Sequence, residues 1–154
     1  MDWLRALFSF RGRTSRLSYW RVGLGVSVVL SALWVLSIVL AMNASPAAAI
    51  PLLLAAPLLL VLAAVCVRRL HDRGKGAGWL LLFWGGPMGL YLAVESMIEA
   101  DGTGGLAAAA MALAGLGIEI WAIVELGFLR GSPGVNRFGP PPPVRLRLRA
   151  MKAA

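Results

Sequence analysis

Two uncharged, apolar stretches near the start of the chain decide the fold. Residues 22–42 read VGLGVSVVLSALWVLSIVLAM and residues 47–67 read AAAIPLLLAAPLLLVLAAVCV, with only four residues between them. A helix needs about 20 residues to cross a hydrocarbon core of about 30 Å. Neither stretch alternates as a barrel strand would, and a helix satisfies its own backbone hydrogen bonds in lipid. We therefore predict two transmembrane helices here.

Two further apolar stretches follow, and both carry acids. Residues 77–98 contain Glu95, and residues 106–129 contain Glu119 and Glu125. Each is long enough to cross a bilayer as a helix. The sequence therefore predicts four spans rather than two.

Composition supports a membrane protein of one domain. The chain has 154 residues, of which 59% are hydrophobic and 14% charged, against about 45–50% and about 25% in soluble domains. The predicted fold is an all-α integral membrane bundle of four transmembrane helices over residues 1–143. A short interfacial segment begins it, and a basic cytoplasmic tail follows over residues 144–154. One Cys and one His exclude a disulfide and a metal site built on several such ligands, so no cofactor is expected.

The basic residues indicate the orientation. All 15 lie before the first span, between the second and third, or after the fourth, and none lies in the other two loops. The positive-inside rule places such segments in the cytoplasm, together with both termini. The net charge of +8 is therefore an orientation signal, which makes nucleic acid an improbable partner.

The loop between the second and third spans is the strongest candidate site. Arginine presents a planar fork of donors that suits phosphate, and this loop would lie level with lipid headgroups. Asp72 could hold Arg68 or Arg69 in place, or orient His71. A solvated loop that only sets orientation and a catalytic site using His71 and Asp72 remain alternatives, although no catalytic residue is assigned. The residues predicted to contact lipid or another anion are Arg11, Arg13, Arg16, Arg68, Arg69, Arg73 and Lys75.

Glu119 is a second candidate, since it lies near the middle of the fourth span. An unpaired carboxylate there is costly, so we expect it to face the bundle and to be protonated or paired. Serines of the first span or a water molecule could bond it, whereas Glu125 could meet Arg130. A proton relay through Glu119, helped by a helix break at Gly85–Gly89, is the alternative to a merely packed acid.

Three segments together resemble the bacterial inner-membrane family named domain of unknown function 805. They are FRGR at residues 10–13, RRLHDRGK at residues 68–75, and GSPGVNRFGP at residues 131–140. The resemblance implies a small protein of the bacterial inner membrane and implies no activity. Shorter members have one hydrophobic stretch between the last two motifs, so Glu119 inherits no role from the family. The motif residues singled out are His71, Asp72, Gly78, Trp79, Gly134, Asn136, Arg137 and Gly139.

These patterns favour a non-catalytic scaffold or regulator whose arginine-rich cytoplasmic face contacts anionic lipid. A protein partner or a second copy of the chain is also compatible with the sequence. The alternative is an oligomeric transporter or channel subunit that uses Glu119 and the break at Gly85–Gly89. A lipid-phosphate enzyme ranks last, because it would lack a second histidine and a nucleophile.

Overall fold

A computed structural model describes residues 7–102 and 104–142. The predicted tail at residues 144–154, and residues 3–6 of the predicted interfacial segment at residues 3–21, therefore lie outside the described residues. The described part is helical and contains an isolated bridge between Asn136 and Gly139 but no strand. The helices are α1 (Arg16–Met42), α2 (Ala49–Asp72), α3 (Gly86–Asp101) and α4 (Gly105–Ile123).

Three short helical turns extend these helices. A 3-10 turn, Pro46–Ala48, precedes α2, and π-helical turns at Leu81–Gly85 and Val124–Phe128 precede α3 and follow α4. Each of the four resulting units is long and apolar enough to cross a membrane. The prediction of four membrane-spanning helices is confirmed.

The helices form two hairpins that meet at one end. α1 packs along α2, α3 packs along α4, and the turn Val124–Phe128 packs against both α1 and α2. The buried apolar cluster at this junction consists of Cys66, Leu70, Phe83 and Leu126. We call this end, where residues 7–16, 68–78 and 129–142 come together, the basic end. Its three segments are those that carry the sequence motifs.

Local caps explain how α1 begins at the basic end. The hydroxyl of Ser15 accepts a hydrogen bond from the backbone N–H of Ser18 at 3.3 Å, which satisfies an otherwise unpaired donor of the first turn. The preceding residue, Thr14, is buried and donates its backbone N–H to the carbonyl of Arg68 at 3.1 Å. The start of α1 is therefore attached to the end of α2.

The local distortion expected around Gly85–Gly89 takes the form of a π-helical turn, and the helix does not break there. The π-helical turn ends at Gly85 and continues directly into α3, whose first turn accommodates a proline. A Cβ at Gly85 or Gly89 would meet nothing within 4 Å. The close helix contact lies instead at Gly115, where a Cβ would stand 2.8 Å from Cε1 of Tyr91. The chain therefore passes from the π-helical turn through Gly86 and Pro87 into α3 without an interruption of the helix.

Candidate functional site

A buried carboxylate at the basic end pairs with two arginines. Oδ1 of Asp72 lies 2.8 Å from Nη2 of Arg13, and Oδ2 contacts Nη1 of Arg69. Arg69 is 1% exposed and Asp72 is 4% exposed. Charges buried this far from water are costly unless they are paired and fully hydrogen-bonded. Of the alternatives considered for Asp72, the structure has Arg69 as its partner and adds Arg13.

Arg13 also binds the segment that follows the last helix. Its Nη1 donates to the carbonyl of Gly134 at 2.7 Å and to that of Gly139 at 3.3 Å, and its Nη2 donates to the carbonyl of Ser132 at 2.7 Å. Its Nε donates to Asp72 at 2.9 Å. One guanidinium group thereby joins the first, second and third motifs.

Arg69 binds the end of the last helical unit. Its Nε donates to the carbonyl of Leu126 at 2.7 Å, and its Nη2 donates to the carbonyl of Leu129. The last carbonyls of a helix have no partner within the helix, so they are available to a buried donor. Arg69 thus ties α2 to the end of the second hairpin and has almost no surface left for a lipid headgroup.

The histidine of the second motif is fixed by the other two motifs. The ring of His71 stacks on Phe138 with a centroid distance of 3.8 Å and an angle of 7°. Its Nδ1 donates to the carbonyl of Gly12 at 3.1 Å. The amide of Asn136 donates to the carbonyl of His71 and to the hydroxyl of Ser132, each at 2.9 Å. Through these contacts, His71 connects the second motif to the first and third motifs, and Asn136 connects the third motif to the second.

A second ion cluster forms around Glu125. Its Oε1 lies 2.9 Å from Nε of Arg73 and 3.0 Å from Nζ of Lys75. Nζ of Lys75 also lies 4.1 Å from the ring centroid of Trp79, a favourable cation–π distance. The predicted pairing of Glu125 with Arg130 is wrong, because Arg73 reaches both the Glu125 carboxylate and the backbone carbonyl of Arg130. This cluster attaches the loop after α2 to the turn after α4.

Glu119 has a partner that the sequence did not suggest. The side chain of Tyr91, on α3, lies beside its carboxyl group and interacts with it electrostatically. Both side chains line a cavity of about 440 Å³ with Phe83, Trp84 and Met88. Among the serines considered, Ser37 instead donates to the carbonyl of Ala48 at 2.7 Å. Glu119 therefore joins the two helices of the second hairpin within the spanning segments.

A cavity of about 470 Å³ adjoins the Asp72 cluster, and Arg13, Arg69 and Asp72 belong to its lining. Its walls come from the start of α1 and from residues 130–132 and 141–142. Asp72 is the only carboxylate that lines it among the residues that the structure describes. The five arginines that line it are Arg13, Arg16, Arg21, Arg69 and Arg130. We call this cavity the arginine pocket.

Three of the five arginines of the pocket are exposed and do not pair with Asp72, unlike Arg13 and Arg69. Arg16, Arg21 and Arg130 are exposed, and no ion pair joins any of them to an acid in the part of the chain that the structure describes. Arg16 donates through Nη1 to the carbonyl of Phe128 at 3.0 Å. These three arginines therefore bring positive charge to the pocket that no described carboxylate neutralises.

The remaining predicted residues surround this site without lining the pocket. Arg11 is exposed, Arg68 is partly buried with its Nε directed at the carbonyl of Ala64, and Arg137 donates to the carbonyl of Gly74 at 3.3 Å. A Cβ at Gly78 would meet nothing within 4 Å. Trp79 packs on Phe83 and Trp121, at centroid distances of 5.9 and 5.7 Å.

Sequence reasoning missed Arg21 and Arg130 as pocket residues and Gly131 as a packing residue. A Cβ at Gly131 would overlap the carboxylate of Asp72, so only glycine fits there. The sole local signal was that each of the two arginines stands immediately beside a predicted span. That signal could not show that the two span ends are neighbours.

Four apolar helices of spanning length, joined at one end by buried ion pairs, define a multi-pass membrane protein. The sequence model of the DUF805 family, described as protein of unknown function, matches residues 7–140. The chain belongs to that family. Comparisons with curated proteins and with solved structures found no match. The resemblance inferred from the three motifs is confirmed, and those motifs are the segments that meet at the basic end.

Proposed function

We propose that this protein is a non-catalytic scaffold or regulator that binds anionic lipid through the arginine pocket. The observation that carries the proposal is that five arginines and one carboxylate line a single cavity at the end of the spanning helices. Arginine near a membrane surface attracts anionic headgroups, at about 1 kcal/mol per residue. The pocket therefore offers a defined place for such a headgroup.

The ion pairs of Asp72 support this role indirectly. They hold Arg13 and Arg69 in fixed positions in the lining of the pocket, so the role of these two arginines is structural. Arg16, Arg21 and Arg130 are the residues through which a headgroup would be held. The anion contact predicted for Arg69 is therefore not part of the proposal.

The proposal also includes an orientation. Since the basic residues of all three motifs gather at one end, the positive-inside rule favours that end as the cytoplasmic one. The protein would then lie in the bacterial inner membrane with both termini in the cytoplasm. Reaction of single cysteines placed at Ser9 and at Gly102, with Cys66 replaced by Ala, tests this in intact cells. Labelling of the Ser9 variant by a reagent that cannot cross the membrane would contradict it.

The contacts of His71 and Asp72 support a non-catalytic role. Asp72 is engaged by two arginines, and the ring of His71 lies against Phe138 and the carbonyl of Gly12. The two side chains therefore make separate contacts rather than an acid–base pair. A lipid-phosphate hydrolase that used His71 and Asp72 together would need them to act as such a pair.

Lipid retention tests the proposal directly. The purified protein is extracted from bilayers of phosphatidylethanolamine and phosphatidylglycerol, and the lipids it retains are counted by native mass spectrometry. We expect wild-type protein to retain phosphatidylglycerol preferentially. Arg21→Gln/Arg130→Gln should weaken this binding roughly thirtyfold, at about 1 kcal/mol for each arginine.

The control removes the same charge elsewhere at the basic end. Arg11→Gln/Arg137→Gln changes two exposed arginines that do not line the pocket. This variant should retain phosphatidylglycerol as the wild type does. Equal retention of both lipids by the wild type would contradict the proposal, and so would equal losses in the two variants.

A further inference from the structure

We infer that the arginine pocket is built for a paired-phosphate group, such as the two phosphates of a cardiolipin headgroup, rather than for a single phosphate. This inference rests on the proposed function and specifies the ligand of the same site. It follows from the charge balance of the pocket, from the spacing of its exposed arginines, and from its apolar rim.

The charge balance leaves an excess that one phosphate does not match. Among the described residues, five guanidinium groups and the Asp72 carboxylate line the pocket, which gives this part of its lining a formal charge of +4. A singly charged headgroup would leave most of that excess concentrated in one cavity, where like charges repel each other. A group with two phosphates offsets at least twice as much of it.

The arginines are spread over two walls. Arg16 and Arg21 lie on α1, five residues apart, which separates their backbones by about 7.5 Å along the helix axis. Arg130 comes from a different segment, after the turn that ends the second hairpin. The pocket volume of about 470 Å³ lies in the range of about 300–1,000 Å³ usual for ligand sites. It exceeds what a single phosphate would fill.

The rim favours phosphates that are carried by a lipid. Leu17 lines the pocket and is 58% exposed. Leu24 lies seven residues further along α1, on the same face, and is 56% exposed. These side chains lead from the pocket along the surface of a spanning helix, where acyl chains attached to the bound phosphates would lie. A soluble diphosphate would gain nothing from that face.

The test compares ligands at equal phosphate content. The full-length protein is reconstituted in bilayers of phosphatidylethanolamine that contain either cardiolipin or twice as much phosphatidylglycerol, and retained lipid is counted by native mass spectrometry. We expect at least tenfold more retained cardiolipin than phosphatidylglycerol per phosphate. Arg21→Gln/Arg130→Gln should lose this preference, and Arg11→Gln/Arg137→Gln should keep it. Alkylation of Cys66 during heating shows whether each variant is folded.

Other outcomes separate the inference from the proposed function. Equal retention of cardiolipin and phosphatidylglycerol per phosphate would overturn the inference and leave anionic-lipid binding intact. If neither cardiolipin nor phosphatidylglycerol were retained in larger amounts than phosphatidylethanolamine, both the inference and the proposed function would be overturned. Displacement of bound cardiolipin by millimolar inorganic pyrophosphate, with no loss when inorganic phosphate is added at the same ionic strength, would support the paired-phosphate chemistry. If the protein bound pyrophosphate tightly but showed no preference for cardiolipin, the inference that a lipid carries the paired phosphates would be overturned.

Discussion

Replacing Asp72 by Asn tests whether the ion pairs at the basic end hold the two hairpins together. The carboxylate is 4% exposed and contacts Arg13 and Arg69, which in turn bind carbonyl groups of the second hairpin and of the third motif. The amide keeps the size of the side chain and removes its charge. Both arginines then remain buried without a counter-ion.

The expected loss of stability is large. Removing one partner of a buried ion pair costs about 3–5 kcal/mol. At about 2–4 °C per kcal/mol for a chain of this size, the Tm should fall by roughly 6–20 °C. Cys66 provides the assay, because it is the only cysteine and is 3% exposed in the folded protein. A fluorogenic maleimide therefore reports its exposure as the purified protein is heated in mild detergent.

Glu99→Gln is the matched control, since it removes one carboxylate from an exposed position at the other end of the bundle. Exposed substitutions of this kind usually change stability by less than about 0.5 kcal/mol. Arg13→Gln should also destabilise the protein, and its effect should not add to that of Asp72→Asn because the two residues share one interaction. If the melting curve of Asp72→Asn coincided with those of Glu99→Gln and the wild type, the reasoning would be refuted.

Three further substitutions, with Gly78→Ala as a control, test contacts elsewhere in the fold by the same thermal assay. Gly131→Ala should lower the Tm because its Cβ would displace the Asp72 carboxylate, whereas Gly78→Ala, with open space around it, should be close to neutral. Trp20→Phe removes the indole donor that lies 3.1 Å from the carbonyl of Gly127, so we expect a loss of about 1 kcal/mol, and an unchanged Tm would show that this bond contributes nothing. Glu119→Gln should cost no more than about 1.7 kcal/mol, the upper end for a polar contact between spanning helices, because the amide keeps the size of the side chain and Tyr91 remains beside it. A larger loss would indicate that the carboxyl group makes a further interaction.

The chain by itself determined the number of helices and their approximate limits. Uncharged runs of 21 residues have one stable form in lipid, so residues 22–42 and 47–67 required no knowledge of the neighbouring helices. The segregation of basic residues likewise placed the three motifs on one side before any contact was known. These features depend on the solvent around each segment, which is why local sequence is sufficient to predict them.

The tertiary structure alone decided which of the basic residues face inward. The motif RRLHDRGK places both Arg68 and Arg69 within one helical turn of Asp72, but it does not show that Arg69 is the buried one, at 1% exposed. The difference arises because Asp72 and the carbonyl groups of residues 126 and 129 meet around that side chain. The two carbonyl groups lie more than fifty residues from Arg69 and Asp72 in sequence, and the buried guanidinium group is stable only where the carboxylate and both carbonyls converge. The arginine pocket has the same origin, since Arg21 and Arg130 become neighbours only when the ends of the two hairpins meet.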